Sequence, residues 1–71
     1  MTDNTAIITY RLQALAESAR EAFSADNLRR AEAAVTGMRR VLERHPEVAK
    51  YDSWVTLHQH LEDCLESAKG H

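Results

Sequence analysis

The sequence predicts an all-α fold, a small antiparallel bundle or hairpin of two to three helices in which the second helix is central. Apolar residues recur every three or four positions in three successive segments, as they do along one face of a helix. Short polar stretches or a proline separate these segments. The middle segment has the broadest apolar face, so we expect it to contact both of the others.

The first segment predicts a helix over residues 5–23. Its apolar stripe is narrow and rich in alanine, which is typical of a coiled-coil seam. The stripe consists of Ile8, Leu12, Leu15, Ala19 and Phe23. The polar residues Thr2, Asp3, Asn4 and Thr5 precede it as N-cap candidates. Residues 24–27 form a short break that favours an antiparallel hairpin, and either Ser24 or Asp26 is predicted to cap the next helix.

The second segment predicts a helix over residues 27–45. Its apolar face consists of Leu28, Ala31, Val35, Met38, Leu42 and His45, flanked by Ala34 and Val41. Gly37 interrupts this helix, at a cost of about 1 kcal/mol relative to alanine. Either a close crossing with another helix or a tolerated surface position would explain this glycine.

A proline at position 46 ends the second helix, because proline disfavours helical geometry in the residue before it. Because Pro46 can itself start a helix, residues 46–51 are predicted to form a short turn. Asp52 or Ser53 is then predicted to cap a third helix over residues 53–68. The apolar stripe of that helix consists of Trp54, Leu57, His58, Leu61, Leu65 and Ala68.

The chain of 71 residues is expected to form a single helical domain, residues 1–71, with a core that provides roughly 3–5 kcal/mol. Its one cysteine, Cys64, excludes an internal disulfide bond. The sequence contains neither a secretion signal nor an apolar run long enough to cross a membrane, which predicts a cytoplasmic protein. Self-association or a partner is the expected source of additional stability. Gly70 suits a helix end, and Gly70 and His71 also fit the remnant of an expression tag.

Histidine and cysteine provide the first candidate site. His60 and Cys64 lie four residues apart, so they share one helix face as two ligands of one metal ion would. A tetrahedral zinc site needs four ligands, and we therefore predict no metal site here. His45 and His58 lie on apolar faces, where a buried neutral ring would make assembly sensitive to pH. A metal- or pH-responsive helical assembly is accordingly an alternative function.

The sequence does not predict an enzyme. It lacks a glycine-rich phosphate loop, a serine–histidine–aspartate pattern and paired Glu-x-x-His motifs. Three short helices also offer no deep pocket. We therefore predict no catalytic residue, no cofactor and no small-molecule substrate.

The charged residues are unevenly distributed, with a net basic middle third between two net acidic thirds. Arg29, Arg30, Arg40 and Arg44 fall on one exposed stripe of the second helix, opposite its apolar face. A nucleic-acid-associated regulator that uses this stripe is the main alternative function. The acidic exposed face of the third helix and the net charge of −2 argue against it.

One set of residues resembles a known repeat. It consists of Ala34, Met38, Val41 and Pro46, followed by Trp54, Leu57 and Leu61. These residues resemble the end of one tetratricopeptide unit and the first helix of the next, and that resemblance implies binding of peptides or proteins. The segment between Pro46 and Trp54 is longer than in the repeat, and Leu57-His58 stands where the repeat has Leu-Gly. The chain is therefore not assigned to this family.

We predict a small cytoplasmic protein–protein interaction module, an adaptor, regulator or inhibitor that acts through helix–helix packing. A homodimer or a complex with another protein is expected, and membranes and nucleic acids are not. The predicted anchors are large apolar residues left over from the core, namely Trp54, Tyr51, Ile7 and Tyr10. Arg29, Arg40 and Arg44 are expected to contribute orientation and association rate.

Overall fold

The computed structural model describes residues 4–70, with the side chains of Asn4 and Asp52 excepted. Within this range the chain forms helices and no strand, which confirms the all-α prediction. The helices are α1 (Asn4–Ser24), α2 (Leu28–Arg44), α3 (Pro46–Ala49) and α4 (Asp52–Lys69). The cap candidates Thr2 and Asp3 and the tag candidate His71 lie outside the described residues.

The turn between α1 and α2 ends in an asparagine cap. Asn27 occupies the N-cap position, and its Oδ1 accepts a hydrogen bond from the backbone N–H of Arg30 at 3.2 Å. The prediction that Ser24 or Asp26 caps this helix is wrong. Ser24 is the last residue of α1, and Asp26 has a φ of 58°, in the left-handed region that reverses the chain direction. Only Asn27 directly precedes the first helical residue.

Replacing this cap is expected to lower stability measurably. Asn27→Ala removes the acceptor for the amide of Arg30 and should cost about 1 kcal/mol of unfolding free energy. Urea titration followed by circular dichroism measures this cost. Asn27→Asp keeps an acceptor at the same position and should stay close to the wild type. An equal loss in both variants would contradict a capping role.

The segment after the proline is more regular than the predicted turn. Pro46 occupies the first turn of α3, where its missing N–H leaves no helical hydrogen bond unmade. This single turn places Val48 in the core with no exposed surface. The prediction that Asp52 or Ser53 caps the last helix is wrong, because both residues already belong to α4 and Tyr51 occupies the N-cap position. The Tyr51 side chain makes no capping hydrogen bond.

The core forms around α2, which contacts each of the other three helices. Leu12, Met38 and Val48 are the largest side chains that are completely buried, and they come from α1, α2 and α3. The main cluster consists of Ile8, Leu12, Ala16, Ala19, Ala34, Val35, Met38, Leu42, Val48 and Leu61. A smaller cluster joins Ala22, Ala31 and Leu65. Since many of these side chains are alanines, the helices approach one another closely.

The glycine in α2 lies at such a close approach. A Cβ atom on Gly37 would lie 3.3 Å from Cδ2 of Leu15 in α1, which is tighter than ordinary van der Waals contact. The structure therefore favours the helix-crossing explanation for Gly37 over a tolerated surface position.

The molecule measures 47 × 18 × 16 Å, an elongated shape in which each long helix keeps one face in solvent. None of the described helices combines the length and the apolar composition needed to cross a bilayer.

Candidate interaction surfaces

The predicted apolar anchors differ in how much surface they expose. Tyr10 is 75% exposed, Ile7 55% and Tyr51 52%, so these three side chains lie outside the core. Val55 is also 46% exposed, and the sequence analysis did not select it as an anchor. Val55 lies one helical turn after Tyr51 and off the apolar stripe of α4, and this position could have indicated its exposure.

Trp54 is placed differently from the other anchors. Its side chain is half-buried and packs against the main cluster, so it is not left over from the core. The accessible part of this side chain lines a groove of about 340 Å³ between α1 and α4. The other residues that line this groove are Gln13, Ala16, Glu17, Arg20 and Leu57. Trp54 therefore contributes to both the core and a surface groove.

Tyr10 lies beside this groove. It lines a hollow of about 190 Å³ together with Gln13, Ala14 and Glu17. Because Gln13 and Glu17 also line the groove, the hollow and the groove adjoin each other. We call this combined region the α1–α4 surface, and it consists of Tyr10, Gln13, Ala14, Ala16, Glu17, Arg20, Trp54 and Leu57. It brings two of the predicted anchors together.

Of the two remaining anchors, Ile7 lies next to this surface on α1 and Tyr51 lies at the start of α4. Ile7 lies one helical turn before Tyr10 and therefore shares a face of α1 with it. Tyr51 and Val55 form a separate exposed pair at the start of α4. The Lys50 ammonium lies 5.7 Å from the centre of the Tyr51 ring, a cation–π contact that favours this ring position.

The arginines of α2 divide into two groups. Arg30 contacts Glu21 of α1 at 3.5 Å, and Arg39 contacts Glu43 at 4.0 Å. The other group is exposed and forms no ion pair with any side chain that the structure describes. It consists of Arg29, Arg40 and Arg44. We call these three residues the α2 arginine face.

A groove of about 480 Å³ lies on this face between Arg29 and Arg40. Three residues of α2 that lie between the two arginines also line it, namely Ala33, Thr36 and Gly37. Glu32 lines one side, and its carboxylate is paired with the ammonium of Lys69. The groove is therefore bordered mainly by unpaired positive charge.

The weak metal candidates do lie together on α4. The Sγ atom of Cys64 is 3.8 Å from Nε2 of His60, and the thiol is free. Within the described part of the chain, no group of three or more histidine, cysteine or acidic side chains is arranged to hold a metal ion. His60 and Cys64 would thus supply only half of a tetrahedral zinc site.

The other two histidines each face a glutamate. His58 is largely buried, and its Nε2 lies 3.4 Å from Oε1 of Glu62 without hydrogen-bond geometry. Nδ1 of the half-exposed His45 lies 3.3 Å from Oε1 of Glu47. Each ring has its own carboxylate neighbour, and none of these contacts joins His45 to His58.

No protein-family model, curated protein or solved structure matches this chain significantly.

Proposed function

We propose that this chain is a cytoplasmic protein–protein interaction module that dimerises with a second copy through helix–helix packing at its α1–α4 surface. The observation that carries the proposal is the large exposed fraction of Tyr10 beside a groove lined by Trp54. Tyrosine and tryptophan are the residues most often found as binding hot spots in protein interfaces. An exposed aromatic ring next to an open groove offers such a contact.

We further infer that the long helices run antiparallel in a bundle. Glu21, late in α1, contacts Arg30, early in α2, whereas Leu15 approaches the later residue Gly37. Lys69 at the end of α4 likewise contacts Glu32 near the start of α2. Since the end of α1 and the end of α4 both contact the first part of α2, these contacts support α1 and α4 as antiparallel neighbours that flank α2.

Charge favours a second copy as the partner at the α1–α4 surface. Glu17 and Arg20 both line the groove and have opposite charges, and within the described residues neither forms an ion pair. A two-fold symmetric interface places a patch of one copy against the same patch of the other copy. A patch with both a positive and a negative charge can therefore form ion pairs between the two copies. A strongly acidic or basic patch would repel its copy.

The size of the molecule is compatible with such an interface. The chain exposes 5183 Å² of surface. A standard interface covers about 800 Å² on each partner, which is roughly a sixth of that surface. Burial of this area would add the apolar contacts that a small core lacks.

Binding rather than catalysis is the proposed role. The grooves described above are open and lined by surface side chains, and they bring together no nucleophile with a base and an orienting group. The cytoplasmic location is proposed because a free thiol such as that of Cys64 is stable in a reducing compartment.

The proposed dimer is tested by sedimentation equilibrium over a range of concentrations. Tyr10→Ala is expected to weaken dimerisation about 10- to 30-fold because it removes an exposed aromatic side chain from the proposed interface. The stability of the monomer should change little, since Tyr10 is mostly exposed. Trp54→Ala is unsuitable for this test because the Trp54 side chain also packs against the core.

Tyr51→Ala is the matched control, because it removes an exposed tyrosine outside the α1–α4 surface. This variant should dimerise as the wild type does. A wild-type chain that stays monomeric at all concentrations would refute the dimer. A larger effect of Tyr51→Ala than of Tyr10→Ala would place the interface at the start of α4 instead.

A further inference from the structure

We propose that α2 carries a second docking surface, the α2 arginine face, which binds an acidic helix of a different protein. This surface lies outside the α1–α4 surface, and its proposed ligand goes beyond the dimer proposed above. This face combines unpaired positive charge, short side chains between its arginines and a regular spacing of those arginines.

The charge on this face is not balanced within the described chain. Neighbouring cations are paired, as in the contacts of Arg30 with Glu21 and of Lys69 with Glu32. The chain contains 11 acidic residues and only 9 lysines and arginines, so carboxylates are not scarce. The described side chains nevertheless leave the α2 arginine face without a carboxylate partner. Its charge is therefore available to a ligand.

The shape of the face suits a helix. Ala33 and Thr36 lie between Arg29 and Arg40 and have short side chains, so a partner backbone can come close to α2 there. Arg29 and Arg40 stand at its two ends. A partner helix that lies along the groove can place apolar or small side chains over Ala33 and Thr36 and carboxylates near each guanidinium.

The distance between Arg29 and Arg40 along α2 specifies which partner helix would fit. Arg29 and Arg40 are eleven residues apart in α2, a rise of about 16 Å at 1.5 Å per residue. Carboxylates eleven residues apart on a partner helix have the same rise and share one face. The planar guanidinium group can bind a carboxylate through two parallel hydrogen bonds. The expected ligand is thus a helix with two acidic residues at this spacing.

A nucleic acid fits the same face less well. Three arginines can neutralise at most about three phosphates, which gives weak, strongly salt-dependent binding. The chain as a whole has a net charge of −2 and would repel the rest of a polynucleotide. The observations therefore favour a protein helix.

The test uses two alanine-based helical peptides of equal length and composition, titrated into the isotope-labelled chain and followed by NMR. The first peptide carries two glutamates eleven residues apart, on one face. The second carries them nine residues apart, which places them on opposite faces of a helix at about 100° per residue. The first peptide is expected to bind at least about 10-fold more tightly. The shifted resonances should cluster between Arg29 and Arg44.

Variants localise the binding. The double variant Arg29→Ala/Arg40→Ala should abolish the preference for the first peptide, and Ala33→Trp should block the groove without touching the core, since Ala33 is exposed. The matched control Arg11→Ala/Lys50→Ala removes two exposed cations elsewhere and should leave binding unchanged. Tyr10→Ala should bind the peptide as the wild type does, whether or not the chain dimerises.

Three outcomes would overturn the proposal. Equal affinity for both peptides would mean that the face attracts charge without recognising a helix, and absence of binding would mean that it is a solvated surface. Tighter binding of a short DNA duplex or of single-stranded RNA than of the first peptide would identify a nucleic-acid surface.

Discussion

Met38→Ala is expected to remove most of the folded stability of this chain. Met38 is completely buried in α2 and belongs to the main cluster, which unites all four helices. Truncation of a buried methionine to alanine costs about 2–5 kcal/mol, because apolar contacts are lost and a cavity remains. A helical domain of this size has only roughly 3–5 kcal/mol of stability. A large unfolded population is therefore expected at room temperature.

Far-ultraviolet circular dichroism during a urea titration measures this effect, at several protein concentrations so that dimerisation is accounted for. Met38→Leu conserves volume and should lose less than about 1.5 kcal/mol. If Met38→Ala unfolded at the urea concentration of the wild type, the core would not be centred on this residue.

Gly37→Leu is expected to cause the second largest loss. Even a Cβ atom at this position lies 3.3 Å from Leu15 Cδ2, and the rest of a leucine side chain needs space between α1 and α2. Overpacking of a helix contact costs about 1–3 kcal/mol. The gain of about 1 kcal/mol in helix propensity offsets only part of this cost. Thermal and urea unfolding measure the sum.

A double-mutant cycle isolates the contact between Gly37 and Leu15. In a Leu15→Ala background the space for the larger side chain is open, so Gly37→Leu should be less destabilising there by about 1 kcal/mol or more. Additive effects of the two substitutions would contradict the close approach of α1 to α2 at this point.

The sequence was most informative about which segments are helical. Apolar periodicity along a helix reflects burial of one of its faces. Each of the three long helices confirms this with a buried stripe residue, namely Leu12, Met38 and Leu61. The caps were less predictable. A shift of the turn by one residue would change which of Ser24, Asp26 and Asn27 precedes the first residue of α2. The short turn predicted from Pro46 corresponds to α3, whose helical extent could not be predicted because four residues are too few to show a period.

The candidate surfaces were only partly predictable. Ile7, Tyr10 and Tyr51 lie off the apolar stripes, and this pattern was sufficient to place them outside the core. The groove beside Trp54 could not be predicted, because it depends on how closely α1 and α4 approach. The pairing of Arg30 with Glu21 likewise joins two helices, so spacing along α2 alone could not separate this arginine from its unpaired neighbours.

The short turn between α1 and α2 has a consequence for how the chain folds. Only residues 25–27 must be ordered to bring the two helices together, and the entropic cost of closing a loop rises with its length. Contacts between elements adjacent in the chain favour fast folding. The helical hairpin can therefore form early and provide the apolar template on which the carboxyl-terminal half condenses.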